Sequence, residues 1–166
     1  MCGIVGYIGK RQAAPILLEG LEKLEYRGYD SAGIAVRDGD REPVVVKAKG
    51  RLRVLADKTD NGRALEGCCG IGHTRWATHG VPSESNAHPH VSTDGSVLAV
   101  HNGIFENYLE IREKLSRHDY RFYSQTDTEA IVNLIDYYYK KYKVGPIDAL
   151  AKTLVRVRGS YALAVM

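Results

Sequence analysis

The chain opens Met1-Cys2-Gly3-Ile4-Val5-Gly6 and continues Tyr7-Ile8-Gly9. Residues 3 to 9 are apolar and β-branched yet rich in glycine, which predicts a buried strand whose backbone is approached closely by another group. Immediately before that strand stands a thiol. If Met1 is removed, which the small Cys side chain favours, Cys2 becomes the N-terminus and carries a nucleophile and a free α-amine on one carbon. An α-amine titrates at roughly 7.7 to 8.0, so at neutral pH a useful fraction is unprotonated and acts as a base without special burial. The plainer reading is a small hydrophobe at the start of an apolar strand. Partners elsewhere in the chain must decide between them.

Working outward, Pro15 sits where a helix begins, and Leu17, Leu21 and Leu24 recur at spacings of four and three. Gly28 is placed to end that helix in a left-handed cap. YRGYDSAG, residues 26 to 33, reads as a turn into the strand GIAV at 33 to 36, and Asp38-Gly39 reads as a hairpin turn to PVVVKAK at 43 to 49. Leu52, Leu55 and Ala56 suggest one short helix in an otherwise polar stretch. Cys68 and Cys69 read as packing at the start of the strand GIGHTR, residues 70 to 75. Residues 76 to 96 have little periodicity but are rich in aromatic, His, Asn and Pro residues, the profile of an ordered binding loop.

SVLAVHNG, residues 96 to 103, alternates as a strand ending in a Gly turn. A helix follows with Tyr108, Ile111, Arg112 and Leu115 on one face. Thr126 and Glu129 have capping-box spacing before the apolar run AIVNLI, which puts Asp127 in a helical first turn. Pro146 begins a last helix, and SYALAVM, residues 160 to 166, is a strand. Strands and helices mixed with hairpins predict an α+β fold of largely antiparallel sheets.

The 166 residues suffice for one domain with a sizeable core, and 44% hydrophobic with 26% charged residues is a soluble globular composition. The net charge of +3 arises from dispersed side chains, so no basic block marks a nucleic-acid surface. Three cysteines without paired spacing fit a reducing compartment rather than a disulfide framework. With no secretory pattern and no long apolar run, the expected location is cytoplasmic, away from the membrane.

Several residues carry the means for chemistry at Cys2. Asn102-Gly103 could offer a side-chain amide and a backbone N–H to one oxyanion, although an isolated Asn-Gly is more often a turn. Arg75 is able to grip a carboxylate with parallel hydrogen bonds, whereas isolated arginines more commonly form surface ion pairs. Asp127 suits a cationic group, but a helix dipole alone accounts for a carboxylate there. His88-Pro89-His90 looks like an incomplete metal-ligand pair, without the remaining spacing. DYYYKKYK, residues 136 to 143, alternates aromatic and basic as a base-stacking surface would, yet fits a helix end with Ile135 and Tyr138 inward.

Taken together, Cys2-Gly3-Ile4-Val5-Gly6, YRGYDSAGIAV at 26 to 36, HTRWATHG at 73 to 80, PSESNAHPH at 82 to 90, HNGIFEN at 101 to 107 and Thr126-Asp127-Thr128-Glu129 resemble the glutaminase domain of the glutamine:fructose-6-phosphate amidotransferase family, the glucosamine-6-phosphate synthases. The resemblance runs from end to end. It implies a class II, N-terminal-nucleophile amidotransferase with an αββα sandwich of two antiparallel sheets covered by helices. It also implies a role for each matching residue: Cys2 as nucleophile with its own α-amine as base, and Asn102 with the Gly103 N–H as oxyanion hole. Arg75 would hold the α-carboxylate of L-glutamine, helped by Thr78 and His79, and Asp127 its α-ammonium. Trp76 matches a gate on the ammonia route, and Arg27 lies in a motif that orders the Cys2 site. No metal or cofactor is implied.

Family members continue beyond the equivalent of Met166 with further strands and a sugar-phosphate isomerase domain. Residues 1–166 are therefore expected to be an incomplete glutaminase domain, truncated at its C-terminus, with exposed sheet edges that favour homo-oligomers. A non-catalytic glutamine-binding or assembly module is the alternative, motivated by the missing part and by Met1. A metal hydrolase using His88, His90 and His101 is a third.

Overall fold

A computed structural model of the protein describes residues 2–77 and 79–166. Met1, expected to be removed, and Thr78, expected to assist Arg75, lie outside the described residues. In chain order the elements are β1 (Gly3–Ile8), α1 (Ala13–Glu22), β2 (Ser31–Arg37), β3 (Val44–Lys49), α2 (Leu52–Lys58), β4 (Cys69–Arg75), β5 (His90–Val91), β6 (Leu98–Phe105), α3 (Tyr108–Ser116), α4 (Asp127–Tyr142), α5 (Pro146–Leu154) and β7 (Gly159–Val165).

One sheet has the order β1-β4-β2-β3 and the other β5-β6-β7, with every pairing antiparallel. Strand alternation sorts the side chains into three layers. Ile4, Ala35, Ile71, Leu98, Val100 and Ala164 lie between the sheets. Ala32, Ile34 and Val36 of β2 turn the other way, onto Leu17 and Leu21 of α1 and Leu55 of α2. On the far side, Ala99 and Phe105 of β6 pack against α3, α4 and α5 through Ile111, Leu115, Ile131, Leu134 and Ala149. The result is helix, sheet, sheet, helix: the αββα sandwich expected of an N-terminal-nucleophile fold.

Glycine in the first sheet lets α1 lie close upon it. A Cβ on Gly70 would stand 2.9 Å from Leu17 Cδ1, and one on Gly72 would stand 3.0 Å from Leu21 Cδ1. The pattern Gly70-Ile71-Gly72-His73-Thr74-Arg75 thus places its large side chains on the inter-sheet side. His73 and Arg75 reach the site for that reason.

Three local expectations are corrected. Gly28 is not a left-handed cap of α1, which ends at Glu22; at φ −172° it is extended and closes a short 3₁₀ turn over Glu25–Arg27, its N–H donating to the Glu25 carbonyl at 3.0 Å. What requires glycine there is the Arg75 backbone, 2.7 Å from any added Cβ. Gly103 does not end a strand; β6 runs through it to Phe105, paired with β7 from Ala99 to Phe105. The Thr126/Glu129 capping box does not form, because Glu129 instead accepts the N–H groups of Tyr123 and Ser124, each at 2.7 Å. The hairpin read at Asp38-Gly39 is present: β2 pairs antiparallel with β3, and the Asp38 carbonyl accepts the Arg41 N–H at 3.0 Å.

Candidate active site

Cys2 stands one residue before β1, and the β1–β4 register of Gly3 with Thr74 carries it onto the residues that follow β4. The Trp76 N–H donates to Cys2 Sγ at 3.2 Å, and the thiol faces the Trp76 carbonyl at 3.5 Å. Burial pushes the Cys2 thiol up from its ordinary pKa, outweighing the Trp76 N–H, which favours the thiolate. At neutral pH this group is a thiol and needs a base to become a nucleophile.

Across the inter-sheet layer, Asn102 of β6 donates from Nδ2 to the Cys2 carbonyl at 3.0 Å. Its Oδ1 lies 2.8 Å from His73 Nε2, which is also 3.0 Å from the carbonyl of His101. Gly103, the next residue, has φ +129° and lines the same cleft as Cys2. A Cβ there would fall 2.1 Å from the Ser160 carbonyl of β7, so both conformation and space select glycine.

Arg75 ends β4 with its side chain 4% exposed. Its Nη2 donates to the carbonyls of His79 and Gly80, the latter at 3.1 Å, and Nη1 lies 3.8 Å from Asp30 Oδ1. Nη1 itself is buried without a hydrogen-bond partner. Asp30 in turn accepts the Ala77 N–H and the Ser31 hydroxyl, anchoring the chain just past Trp76.

Asp127 opens α4 and reaches the cleft from the other sheet. Its Oδ2 accepts the Phe105 N–H at 2.9 Å, and Oδ1 lies 3.9 Å from His101 Nδ1. Arg75 and Asp127 thus face one cleft, with Cys2 and Gly103 on its wall. His79 borders it too, edge-on to Tyr108 at 5.3 Å. Trp76 is 48% exposed at its rim and edge-on to Tyr29 at 5.5 Å. Arg27 lies beyond Cys2, on a separate depression that it shares with Cys2, Leu24 and Asn102.

The structure therefore brings Cys2, Arg75, Trp76, His79, Gly103 and Asp127 to one cleft, with Asn102 behind Cys2 and Arg27 on its outer side. Thr78 lies outside the described residues. The histidines belong to a different arrangement from a metal centre. His73 stacks on His88 at 4.1 Å, His88 meets His90 edge-on at 4.8 Å, and His101 stacks on Phe105 at 4.1 Å. Burial holds His73 down at about 3 and His101 at about 4, and pushes His88 and His90 far below the ordinary value, so all four are neutral. Among the described residues, no group of three His, Cys, Asp or Glu side chains is arranged to hold a metal ion.

Two contributors escaped the sequence reading. Asp30 left no signal beyond its place in YRGYDSAG. His73 could have been found from the alternation of GIGHTR, which puts it on the same strand face as Arg75.

An antiparallel αββα sandwich with a cysteine at the head of its first strand is the architecture of the N-terminal-nucleophile amidotransferases. Glutamine phosphoribosylpyrophosphate amidotransferase from B. subtilis, solved in complex with ADP and GMP, superimposes with a TM-score of 0.83 at 26% identity, over 100% of this chain and 35% of that one. Residues 73–166, more than half of the chain, match the glutamine amidotransferase domain family, and the protein belongs to that family. It is 56% identical to the glutamine–fructose-6-phosphate aminotransferase (isomerizing) of Caldanaerobacter subterraneus and 55% identical to that of Clostridium tetani. Both alignments cover 100% of this chain but 26% of each relative, so the chain spans about a quarter of their length.

Proposed function

We propose that this chain is a glutaminase, hydrolysing L-glutamine to glutamate and ammonia at Cys2. The observation that carries the reading is the convergence of a half-buried thiol, a cation and an anion on one cleft: Cys2 between Trp76 and Asn102, with Arg75 and Asp127 lining the same cleft. A zwitterionic amino acid needs that pair of opposite charges at its head, and its amide then lies toward the thiol. Arg75 takes the α-carboxylate, assisted by Thr78 and His79, and Asp127 takes the α-ammonium. The cleft holds only about 30 Å³ of free space and must widen to admit glutamine, whose α-carboxylate takes Arg75 Nη1, the nitrogen without a hydrogen-bond partner, while Nη2 stays on the His79 and Gly80 carbonyls.

With Met1 removed, the Cys2 α-amine takes the thiol proton as sulfur attacks the side-chain carboxamide carbon. The tetrahedral oxyanion is held by the second N–H of Asn102 Nδ2, the first being engaged by the Cys2 carbonyl, and by the Gly103 N–H. Collapse expels ammonia, which leaves with the proton returned by the α-amine. Water then hydrolyses the γ-glutamyl thioester to glutamate and the free thiol. Trp76 gates the departing ammonia, and Arg27 orders the outer side of Cys2.

Residues 1–166 form the greater part of one glutaminase domain, and the ammonia serves a sugar-phosphate isomerase domain making glucosamine 6-phosphate from fructose 6-phosphate, as the names of the relatives suggest. The edge strand β7 is open to pairing with further strands or a second copy. Among the described residues no helix is long and apolar enough to cross a membrane.

The test is glutamate release by a chain whose mass shows Cys2 as first residue, beside its Cys2→Ala variant. Release from the first and none from the second is expected; equal rates would remove the proposal. Binding of glutamine without turnover in the Cys2-initiated chain would establish a binding module instead.

A further inference from the structure

His73 is completely buried between the sheets, and its Nε2 faces two oxygens at once, Asn102 Oδ1 at 2.8 Å and the His101 carbonyl at 3.0 Å. Both are acceptors, so Nε2 must carry the proton, and Nδ1 is left as a lone pair with no partner. That tautomer allows one orientation of the Asn102 amide. Rotated by half a turn, the amide would set its NH₂ against the Nε2–H and its oxygen against the Cys2 carbonyl, replacing two hydrogen bonds by two repulsions. The ring is itself held, stacked 4.1 Å from His88 with an interplanar angle of 21°. The second acceptor is the carbonyl of the residue preceding Asn102, so the same proton also fixes the local backbone of β6.

We propose that His73 is a positioning residue for glutamine hydrolysis: its Nε2–H locks the Asn102 side-chain amide with Nδ2 toward Cys2, which keeps the second Nδ2 hydrogen available for the oxyanion. This rests on the glutaminase reading given above. The ring never touches substrate and acts only through Asn102. Because burial holds His73 down at about 3, the lock stays neutral and Nε2-protonated across the physiological range.

The first measurement is independent of turnover. Long-range ¹H–¹⁵N NMR of the Cys2-initiated chain is expected to show His73 as the Nε2–H tautomer from pH 5 to 8. An Nδ1–H or charged ring would overturn the proposal whatever the activity. The second is kinetic. His73→Phe, which keeps ring volume and removes the donor, is expected to lower kcat by about 10²-fold with KM within about twofold, the scale of misplacing one catalytic group. His73→Gln, whose amide N–H can replace the donor, is expected to recover most of that loss. In an Asn102→Ala background, His73→Phe is expected to cost nothing more in kcat. A loss that adds in full to that of Asn102→Ala, or a His73→Gln no better than His73→Phe at equal Tm, would show a merely structural role. Should wild type release no glutamate, the glutaminase reading fails while the tautomer measurement still judges the lock.

Discussion

The side-chain amide of Asn102 donates to the main-chain carbonyl of Cys2 at 3.0 Å, tying the middle of β6 in one sheet to the head of β1 in the other. The proposed nucleophile and oxyanion donor are therefore joined by a direct bond, and the Cys2 thiol is held in addition by the Trp76 N–H just past β4. Asn102→Ala is expected to lower kcat for glutamate release by roughly 10²- to 10³-fold, the range for deleting one oxyanion donor. Its effect on stability should be about 1–3 kcal/mol, the loss of the two hydrogen bonds to the Cys2 carbonyl and from His73. Steady-state kinetics with a urea titration checks both, and an unchanged kcat would exclude Asn102 from the oxyanion hole.

Arg75 carries two jobs that a lysine does not combine. Its guanidinium donates to the carbonyls of His79 and Gly80 while facing Asp30 and the cleft. Lysine presents a point charge without the planar fork. Arg75→Lys is expected to raise KM for glutamine by about 10- to 100-fold, the value of one charge-assisted hydrogen bond, with a smaller change in kcat. A KM unchanged in this variant would place the α-carboxylate elsewhere.

Legibility in the sequence followed the range of the forces involved. Alternation in GIAV, GIGHTR and SVLAVHNG is local, and the strands it predicts are present as β2, β4 and β6. Leu52 and Leu55 in α2, and Ile135 with Tyr138 in α4, are buried as their spacing requires. The errors concern residues whose neighbours are distant in sequence. Gly28 reads as a helix cap until the Arg75 backbone is seen against it, and Asn102-Gly103 reads as a turn until β7 pairs across it. Glu129 has the right spacing to cap Thr126 but is captured by the N–H groups of Tyr123 and Ser124. The site shows the same division. Its charged groups announce themselves by type, whereas His73 acquires its function only from the carbonyl and amide facing it across the inter-sheet layer.

Gly103 offers a test of how much the cleft depends on β7. At φ +129°, and with the Ser160 carbonyl 2.1 Å from any added Cβ, an alanine must both strain its backbone and push the β6–β7 pair apart. Backbone strain of this kind costs on the order of 1–3 kcal/mol before the clash is counted. Gly103→Ala is expected to lower Tm by several degrees or more and to abolish glutamate release, since the same N–H is the proposed second oxyanion donor. A variant of native Tm that is inactive would separate the catalytic effect from the structural one; a native Tm with native activity would contradict both.

The neutral histidines make the fold acid-sensitive at a predictable pH. His73 and His101 are held down at about 3 and about 4 by burial, and Asp127 beside His101 only partly offsets this. In the unfolded chain each titrates near 6.5, the ordinary value. Below that pH the unfolded chain binds protons that the fold refuses, so stability is complete above about 6.5 and declines as pH falls toward the folded values. The limiting slope is ~1.4 kcal/mol per pH unit for each such histidine. His88 and His90, also pushed down by burial, act in the same direction. The urea midpoint is therefore expected to fall between pH 7 and pH 5, before most carboxylates titrate. In His101→Gln the fall should be shallower by up to one histidine's slope, because the group that refuses the proton is gone. A midpoint flat across that interval would mean that these rings accept protons in the folded state.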